Sequence, residues 1–310
     1  MKVLITGGKS MMGRAIARQL GDGVEYHLVS HENVDLLSES ETCQLFSIYK
    51  PTHVIHCAGY NGNIQFNNKY PADIFGRTVQ MAMNVLEKSV KYGVQKVVTP
   101  ISSCCYPEEL CGEPFKEEDL WKGEPNADVE AHGFAKRFIV EYSRMLHKQY
   151  GLNSVGIIFN TVYGPYDSFD VNKTKVVGGL IAKIYKAHKE GLPEVVLWGT
   201  GRPKREIVYC DDAAKDVVWV LNNYDNPRYP INSRYGFEVT IERLATAIAI
   251  LIGYKGNIVF DTSMPDGQMR KVLDKSNIHS RLLKEEWSFG DNVVFGLDKT
   301  IRWYIQNYGN

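Results

Sequence analysis

The chain opens with the strand-like run Lys2-Val-Leu-Ile-Thr6, which is followed directly by Gly7-Gly-Lys-Ser-Met-Met-Gly13 and a helical stretch beginning at Arg14. The spacing is that of TGxxGxxG, with Ser10 where the middle glycine is expected. Glycines permit a tight turn and let backbone N–H groups at a helix N-terminus approach a pyrophosphate. The segment therefore predicts a dinucleotide-binding strand–loop–helix unit, with a plain strand-to-helix turn as the alternative.

The alternation of strand and helix continues outward from this segment. Strand-like runs at 26–29, 53–56, 96–99 and 154–158 are separated by helical stretches near 40–49, 71–92 and 131–149. Such an order predicts an α/β fold, a Rossmann doubly wound parallel sheet with helices on both faces and a ligand crevice at the carboxyl ends of the strands.

The second half is less regular. It has helical stretches near 175–190, 211–222, 240–253 and 296–307, and strands at 194–198 and 257–260. We predict a cofactor-binding Rossmann domain over residues 1–165 and a smaller α/β substrate-binding lobe over 166–310. Some later elements, at about 194–225, are expected to return to the Rossmann sheet.

Composition excludes several classes of protein. Lys+Arg and Asp+Glu both total 36, so no net field attracts a polyanion, and nucleic acid is not expected as a partner. The six cysteines form no CxxC pair and have no metal-ligand spacing, which argues against a zinc site and suits a reducing compartment. No signal peptide or bilayer-spanning apolar run is evident, so we expect a cytoplasmic enzyme without a membrane partner.

The end of the second strand bears on the choice of cofactor. NAD-specific domains usually place an acidic residue there, whereas this chain has Val29-Ser30-His31. Lys9 in the loop, with Ser30 or His31 opposite, could hold a 2′-phosphate. The pattern favours NADP, with a solvated loop charge as the alternative role for Lys9.

Several further motifs carry a family resemblance. They are Pro71-Ala-Asp73, Ser102-Ser-Cys-Cys-Tyr-Pro107, Tyr163-Gly-Pro165, Trp198-Gly-Thr-Gly-Arg-Pro-Lys-Arg-Glu206, Asp211-Asp212 and Asp266-Gly-Gln-Met-Arg-Lys271. Through them the chain resembles the extended short-chain dehydrogenases/reductases, and specifically the GDP-L-fucose synthase family, nearly from end to end. The resemblance implies NADPH-dependent 4-keto reduction of a GDP-4-keto-6-deoxy sugar, hexose or heptose, and leaves 3,5-epimerisation open. It also implies a homodimer formed through the long helices near 71–92 and 131–149.

Ketone reduction needs a proton donor and hydrogen bonds to the developing alkoxide. A serine at the end of the fourth strand and a Tyr-x-x-x-Lys on the next helix supply them, and Ser102 and Lys136 fit, but His132 stands at the tyrosine position. Because histidine titrates near neutrality, we predict that His132, as imidazolium, protonates the alkoxide while Lys136 holds the nicotinamide ribose. The alternatives are an orienting or inert His132 with water as the donor. Tyr106 and Tyr142 are expected to be structural.

A second departure concerns epimerisation. The family uses a cysteine two residues after the serine and a histidine before the substrate-lobe helix to exchange protons beside the ketone. Cys104 matches the cysteine, but Lys175 replaces the histidine. Lysine acts as an acid or base only if its pKa falls. A reductase acting after a separate epimerase and a bifunctional enzyme using Cys104 and Lys175 both stay open.

The resemblance assigns the remaining contacts residue by residue. Lys183 and Arg205 would bind the diphosphate, Trp198 would lie near the nucleotide, and Asp266 and Lys271 would close over the substrate. The expected cofactor contacts are Gly7, Lys9, Ser10, Met12, Gly13, Ala58, Gly59, Lys136, Asn160 and Thr161. The order of Asn160 and Thr161 is the reverse of the usual Thr-Asn.

Three other functions compete with this interpretation. A sugar-nucleotide 4,6-dehydratase would need an acid pair beyond the active-site serine, and Ser103-Cys104-Cys105 has none. An epimerase without reductase activity is a second possibility. A non-catalytic NADP-binding scaffold is the third, favoured by the departures at Ser10, His132 and Lys175.

Overall fold

A computed structural model of the chain describes residues 1–110, 112–170, 173–226, 228–264, 266–280 and 289–309. Cys111, one of the six cysteines, lies outside these ranges. Within the part of the chain that the structure describes, no helix combines the length and apolar character needed to cross a bilayer.

The strands are short and the helices longer. The strands are β1 (Lys2–Thr6), β2 (Glu25–Val29), β3 (His53–His56), β4 (Lys96–Ser102), β5 (Ser154–Phe159), β6 (Thr161–Tyr163), β7 (Glu194–Trp198), β8 (Lys204–Tyr209), β9 (Ile231–Asn232), β10 (Phe237–Thr240), β11 (Asn257–Asp261) and β12 (Arg270–Lys271). The helices are α1 (Met11–Gln19), α2 (Glu39–Tyr49), α3 (Ile64–Lys69), α4 (Pro71–Lys91), α5 (Glu130–Tyr150), α6 (Val176–Lys189), α7 (Cys210–Asn223), α8 (Ile241–Ile252), α9 (Ser276–His279) and α10 (Phe295–Tyr308).

The main sheet has six strands in the order β2-β1-β3-β4-β5-β9, all paired in parallel. Its central strands are mostly apolar and mostly buried on both faces, as a parallel sheet covered by helices requires. One core cluster joins the sheet to α1 and α7, and a second joins it to α2, α4 and α5. The predicted α/β class with a Rossmann doubly wound sheet is confirmed.

Two smaller sheets lie outside the main sheet, and we call the part of the molecule built on them the lobe. One has the order β10-β8-β12, with β6 also pairing with β8, and the other pairs β7 with β11. Of the elements over 194–225, where we expect some to return to the main sheet, β7 pairs with β11 instead. In β7, Val195 and Leu197 are buried while Val196 and Trp198 are exposed, so the strand has only one buried face and cannot lie inside a doubly covered sheet. Helix α7, from the same range, does pack on β4 and β5. The strand that pairs with β5 at the edge of the main sheet is β9, which lies beyond this range.

A buried polar network ties β9 to the lobe. The Asn232 side chain accepts a hydrogen bond from the Tyr106 hydroxyl at 2.7 Å and donates to the carbonyl oxygens of Phe115 at 2.8 Å and Asp274 at 3.0 Å. Its backbone N–H donates to Glu117 at 2.9 Å. Since unpaired buried polar groups are costly, this network fixes the lobe against the sheet, and Tyr106 has a structural role.

Candidate active site

The glycine loop (residues 7–13) lies against the end of β3. Gly7 has a φ of +64°, and a Cβ added there would be 2.8 Å from the Ala58 backbone nitrogen. A Cβ on Gly13 would be 2.6 Å from the Gly7 carbonyl oxygen. Both positions therefore require glycine, and the first turn of α1 leaves backbone N–H groups at the loop for an anion.

Ser10 replaces the middle glycine without backbone strain. It is the N-cap of α1 with a φ of −68°, in extended geometry that any residue adopts. Its hydroxyl accepts a hydrogen bond from the Gly13 N–H at 3.1 Å, which is the usual work of an N-cap serine. The departure from the motif thus falls at a position that does not demand glycine. The neighbouring Met12 is partly buried.

Lys9 forms an ion pair with Glu32, and both side chains are about half exposed. The hydrogen bond from Lys9 holds the pKa of Glu32 below its usual value. The predicted neighbour Ser30 instead donates its hydroxyl to Asn33 at 2.9 Å. The acidic residue at this strand end is Glu32, which directly follows Val29-Ser30-His31 and was not predicted as a partner of Lys9.

Ser102 and Lys136 lie where the resemblance predicts, at the carboxyl end of β4 and on α5. The Ser102 hydroxyl accepts a hydrogen bond from the Cys104 N–H at 3.2 Å. Lys136 is buried, and its ammonium donates to the Pro100 carbonyl oxygen at 3.1 Å. Burial, assisted by the charge of Lys175 and opposed by Cys57 and Cys105, lowers the pKa of Lys136 to about 8.

His132 lies one turn before Lys136 on the same face of α5 and is 8% exposed. Burial, together with the charges of Lys136, Lys175 and Lys271, holds its pKa well below the ordinary value. The lowered pKa favours a neutral imidazole over the predicted imidazolium, because a fourth positive charge would be both desolvated and repelled. Its Nδ1 is buried and has no hydrogen-bond partner among the residues described.

Cys104 and Lys271 meet across the two lobes, with the lysine Nζ 3.4 Å from the cysteine Sγ. Burial raises the pKa of the Cys104 thiol, but Lys271, the Ser102 hydroxyl and Lys175 together outweigh it, so the net pKa is lowered. Lys175 is exposed at the N-cap of α6, and its charge acts on Cys104, His132 and Lys136. We call His132, Lys136, Lys175 and Lys271 the basic cluster.

The predicted diphosphate contacts lie on the lobe. β12 pairs with β8 so that Lys271 is in register with Arg205, whose Nη1 donates to the Gln268 carbonyl oxygen at 2.6 Å. Lys183 lies over the exposed ring of Trp198, with Nζ 5.0 Å from the ring centroid. Arg205, Lys183 and Trp198 lie on the lobe and are not part of the basic cluster.

The Asp266 carboxylate holds the loop after β7 through two hydrogen bonds. The carboxylate accepts hydrogen bonds from the Thr200 N–H at 2.6 Å and from the Thr200 hydroxyl at 2.7 Å. Gly199, with a φ of +80°, turns the chain in front of it. Asp266 therefore shapes the loop after β7 from a distant part of the chain.

Two polar residues near the site, Asp167 and His56, were not predicted as site residues, whereas Asn160 was predicted as a cofactor contact. Asp167 feels the charge of Lys175, which offsets only part of the rise in its pKa caused by burial. His56, at the end of β3, is hydrogen-bonded through Nδ1 to the Thr6 hydroxyl at 2.8 Å, and burial next to Lys136 lowers its pKa to about 3. Asn160 donates to the Lys271 carbonyl oxygen at 3.4 Å. A polar residue at a strand's carboxyl end is the sequence signal common to His56 and Asn160.

The parallel sheet, the glycine loop after β1 and the polar groups at the carboxyl end of β4 define a Rossmann-type dinucleotide-binding protein. The chain belongs to the NAD dependent epimerase/dehydratase family, whose model matches residues 3–232, and within it to the GDP-L-fucose synthase family.

Known relatives match over nearly the whole chain. The GDP-L-fucose synthase of Sinorhizobium fredii is 33% identical over 307 residues, which are 99% of this chain and 96% of the relative. The GDP-L-fucose synthetase of Naegleria fowleri, solved bound to NADP, superposes with a TM-score of 0.88 at 27% identity, over 100% of this chain and 95% of that one. A GDP-6-OMe-4-keto-L-xylo-heptose reductase from C. jejuni superposes with a TM-score of 0.87 at 25% identity, over 98% and 97%.

Proposed function

We propose that the protein is an NADPH-dependent C4-reductase of a GDP-4-keto-6-deoxy sugar. The observation that carries this proposal is the position of Ser102 at the carboxyl end of β4, next to α5, whose Lys136 donates to the Pro100 carbonyl oxygen of that strand and whose His132 lies one turn earlier. A ketone reductase needs hydrogen-bond donors and a proton source at this end of the strand. The relatives' activities, named as GDP-L-fucose synthase and GDP-heptose reductase, support the same chemistry.

The glycine loop fits a dinucleotide. Gly7, Met12 and Gly13 would bind the pyrophosphate through backbone N–H groups, and Ser10 would line the loop. A Cβ on Gly59 would meet no atom within 4 Å, so the chain there faces open space for a ligand beside Ala58. Asn160 and Thr161 would line the nicotinamide end. NADPH, when bound, supplies the hydride.

The 2′-phosphate would be recognised by Lys9. That lysine has to exchange its partner Glu32 for the phosphate, which carries more negative charge. The NADP found in the Naegleria structure supports this choice of cofactor. Competition by Glu32 predicts a weaker preference for NADPH than an unpaired lysine would give.

The substrate side follows from the lobe's cations. Arg205 would hold the GDP diphosphate bidentately, with Lys183 as a second cation and Trp198 beside the nucleotide. Lys271, together with the loop shaped by Asp266, would close over the sugar. Ser102 would donate its hydroxyl to the C4 oxygen, and Lys136 would contact the nicotinamide ribose.

One observation favours a second activity, 3,5-epimerisation. Cys104 is held 3.4 Å from Lys271 and has a lowered pKa, as a base that removes a proton beside a ketone requires. Lys175 would serve as the partner acid in place of histidine. Incubation with the keto sugar in deuterated water without NADPH tests this: deuterium at C3 and C5 supports epimerisation, and its absence leaves a pure C4-reductase.

The outer face of α4 and α5 would form a homodimer. Phe75, Trp121 and Phe134 are between 37% and 50% exposed there and line one shallow apolar surface. Contiguous exposed apolar patches of this kind mark interaction sites.

The five cysteines that the structure describes carry free thiols, which is compatible with a reducing cytoplasm.

One incubation tests the main proposal. Purified protein with NADPH and GDP-4-keto-6-deoxymannose should consume NADPH, seen as lost nicotinamide absorbance, and yield a C4 alcohol by NMR. Dinucleotide binding without turnover would instead support a non-catalytic scaffold. In a separate incubation with GDP-mannose and no added reductant, consumption of the sugar would indicate a 4,6-dehydratase.

A further inference from the structure

We propose that the proton of the new hydroxyl originates on the Lys136 ammonium and passes through neutral His132, which accepts it at Nδ1 while giving up the proton on Nε2. The proposal rests on the proposed reductase function of this site. It replaces direct donation from an imidazolium.

The two side chains lie near each other, but Nδ1 of His132 has no hydrogen-bond partner in the described part of the chain, so the relay requires the Lys136 ammonium to turn toward it. The two side chains project from the same face of α5 one helical turn apart, and both are more than nine-tenths buried. Among the residues described, the Lys136 ammonium has one acceptor, the Pro100 carbonyl oxygen at 3.1 Å. An ammonium carries three protons, so two are left for other acceptors.

The tautomer of His132 follows from its surroundings. Nδ1 is buried without a partner in the described part of the chain. A buried N–H without an acceptor is costlier than a bare lone pair, and three neighbouring lysines favour a lone pair facing them. The proton therefore sits on Nε2, which leaves Nδ1 as an acceptor and Nε2–H as a donor on opposite sides of one ring.

A neutral imidazole cannot supply a proton without being resupplied, because imidazolate is far too basic. Of the three lysines that act on His132, Lys175 is exposed and Lys271 is engaged with Cys104, whereas Lys136 is buried. Its pKa of about 8 lies below the ordinary value for lysine and suits proton transfer near neutrality. The titratable groups that face Lys136 are His56, Cys57, Cys105, His132 and Lys175.

The step balances. The carbonyl carbon gains the hydride and its oxygen takes the electron pair of the C=O π bond. An O–H bond forms as Nε2–H breaks, and Nδ1–H forms as one Nζ–H bond of Lys136 breaks. The products are the alcohol, His132 protonated on Nδ1 and still neutral, and Lys136 as an amine that is reprotonated from solvent.

A readout independent of turnover is the nitrogen NMR spectrum of protein with labelled histidine. His132 should show the Nε2–H tautomer and should not titrate between about pH 5 and pH 8. An imidazolium signal at neutral pH would overturn the relay. His132→Gln identifies the resonance, and His147→Gln, which removes an exposed histidine on the same helix, is the assignment control.

Single-turnover hydride transfer supplies the second readout. In wild type the rate should fall about tenfold per unit above a limb near pH 8, the value to which Lys136 is lowered. His132→Gln keeps an amide donor but cannot relay, so it should lose about 10²–10⁴-fold, whereas His132→Tyr should retain activity because a phenol donates directly. Lys136→Arg, which keeps the charge but not the acidity, should lose as much as His132→Gln.

The outcomes separate the relay from the proposed function. His147→Gln should match wild type. Full activity in His132→Gln, or an unchanged alkaline limb in Lys136→Arg, would overturn the relay while the reductase stands. Wild-type protein that binds NADPH by fluorescence titration and leaves the keto sugar unreacted would overturn the reductase itself.

Discussion

The glycine loop and the basic cluster both depart from their family pattern, but with different consequences. At Ser10 the backbone is extended and the hydroxyl caps α1, so the substitution changes one local contact. At His132 the substitution meets three lysines from separate elements, and their charges set its protonation state. In the glycine loop, a substitution at a position with ordinary backbone conformation alters only a local contact. In the basic cluster, residues from several elements interact through their charges, so one substitution affects the protonation of its neighbours.

The largest effect should come from His132→Phe, which removes both ring nitrogens from the basic cluster. Hydride transfer should fall about 10²–10⁴-fold, because the alkoxide loses its proton path. NADPH affinity, measured by fluorescence titration, should stay within about threefold of wild type. An unimpaired single-turnover rate would remove His132 from the chemistry and leave water as the donor.

The next effect should come from Gly7→Ala in the glycine loop. The positive φ and a Cβ 2.8 Å from the Ala58 nitrogen should cost about 1–3 kcal/mol of unfolding free energy. Denaturant unfolding and NADPH titration should both show the loss. Gly21→Ala, where a Cβ would meet nothing within 4 Å, is the matched control and should be neutral. Equal stability of the two variants would contradict the close packing of the loop on β3.

Lys271→Met should have a smaller effect, on the Cys104 thiol. Lys271 lowers the thiol pKa, so its removal should raise that pKa and reduce the thiolate fraction at neutral pH. Alkylation of Cys104 by iodoacetamide should slow about threefold to tenfold, and its pH profile should move to higher pH. Cys104→Ser reports labelling at other cysteines. An alkylation profile unchanged by the substitution would mean that the two side chains do not interact in solution.

The smallest effect should come from Ser10→Gly, which restores the family pattern. Glycine is nearly as good an N-cap as serine, so stability should change by a few tenths of a kcal/mol, within about 0.5 kcal/mol. NADPH affinity should move by less than about threefold. A large gain in affinity would show that the Ser10 hydroxyl competes with the pyrophosphate for the Gly13 N–H.

Local patterns predicted most of the fold, because each helix of the Rossmann half is set by its own amphipathic period and each strand by its own apolar run. The placement of β7 and β9 was not predictable in this way, since EVVLW is apolar enough for either sheet and only packing decides. The positions of Ser102, Cys104 and Lys136 followed from motif spacing. The neutral state of His132 and the Lys9–Glu32 pair did not, because both depend on groups brought together from distant segments.

The most direct test of the account is a crystal structure with NADP⁺ and the GDP-sugar product bound. We predict that Nε2 of His132 and the Ser102 hydroxyl each lie about 3 Å from the sugar's C4 oxygen, with the pyrophosphate over the glycine loop. A ring turned away from that oxygen, or a dinucleotide bound elsewhere, would contradict the assignment of this site as a reductase.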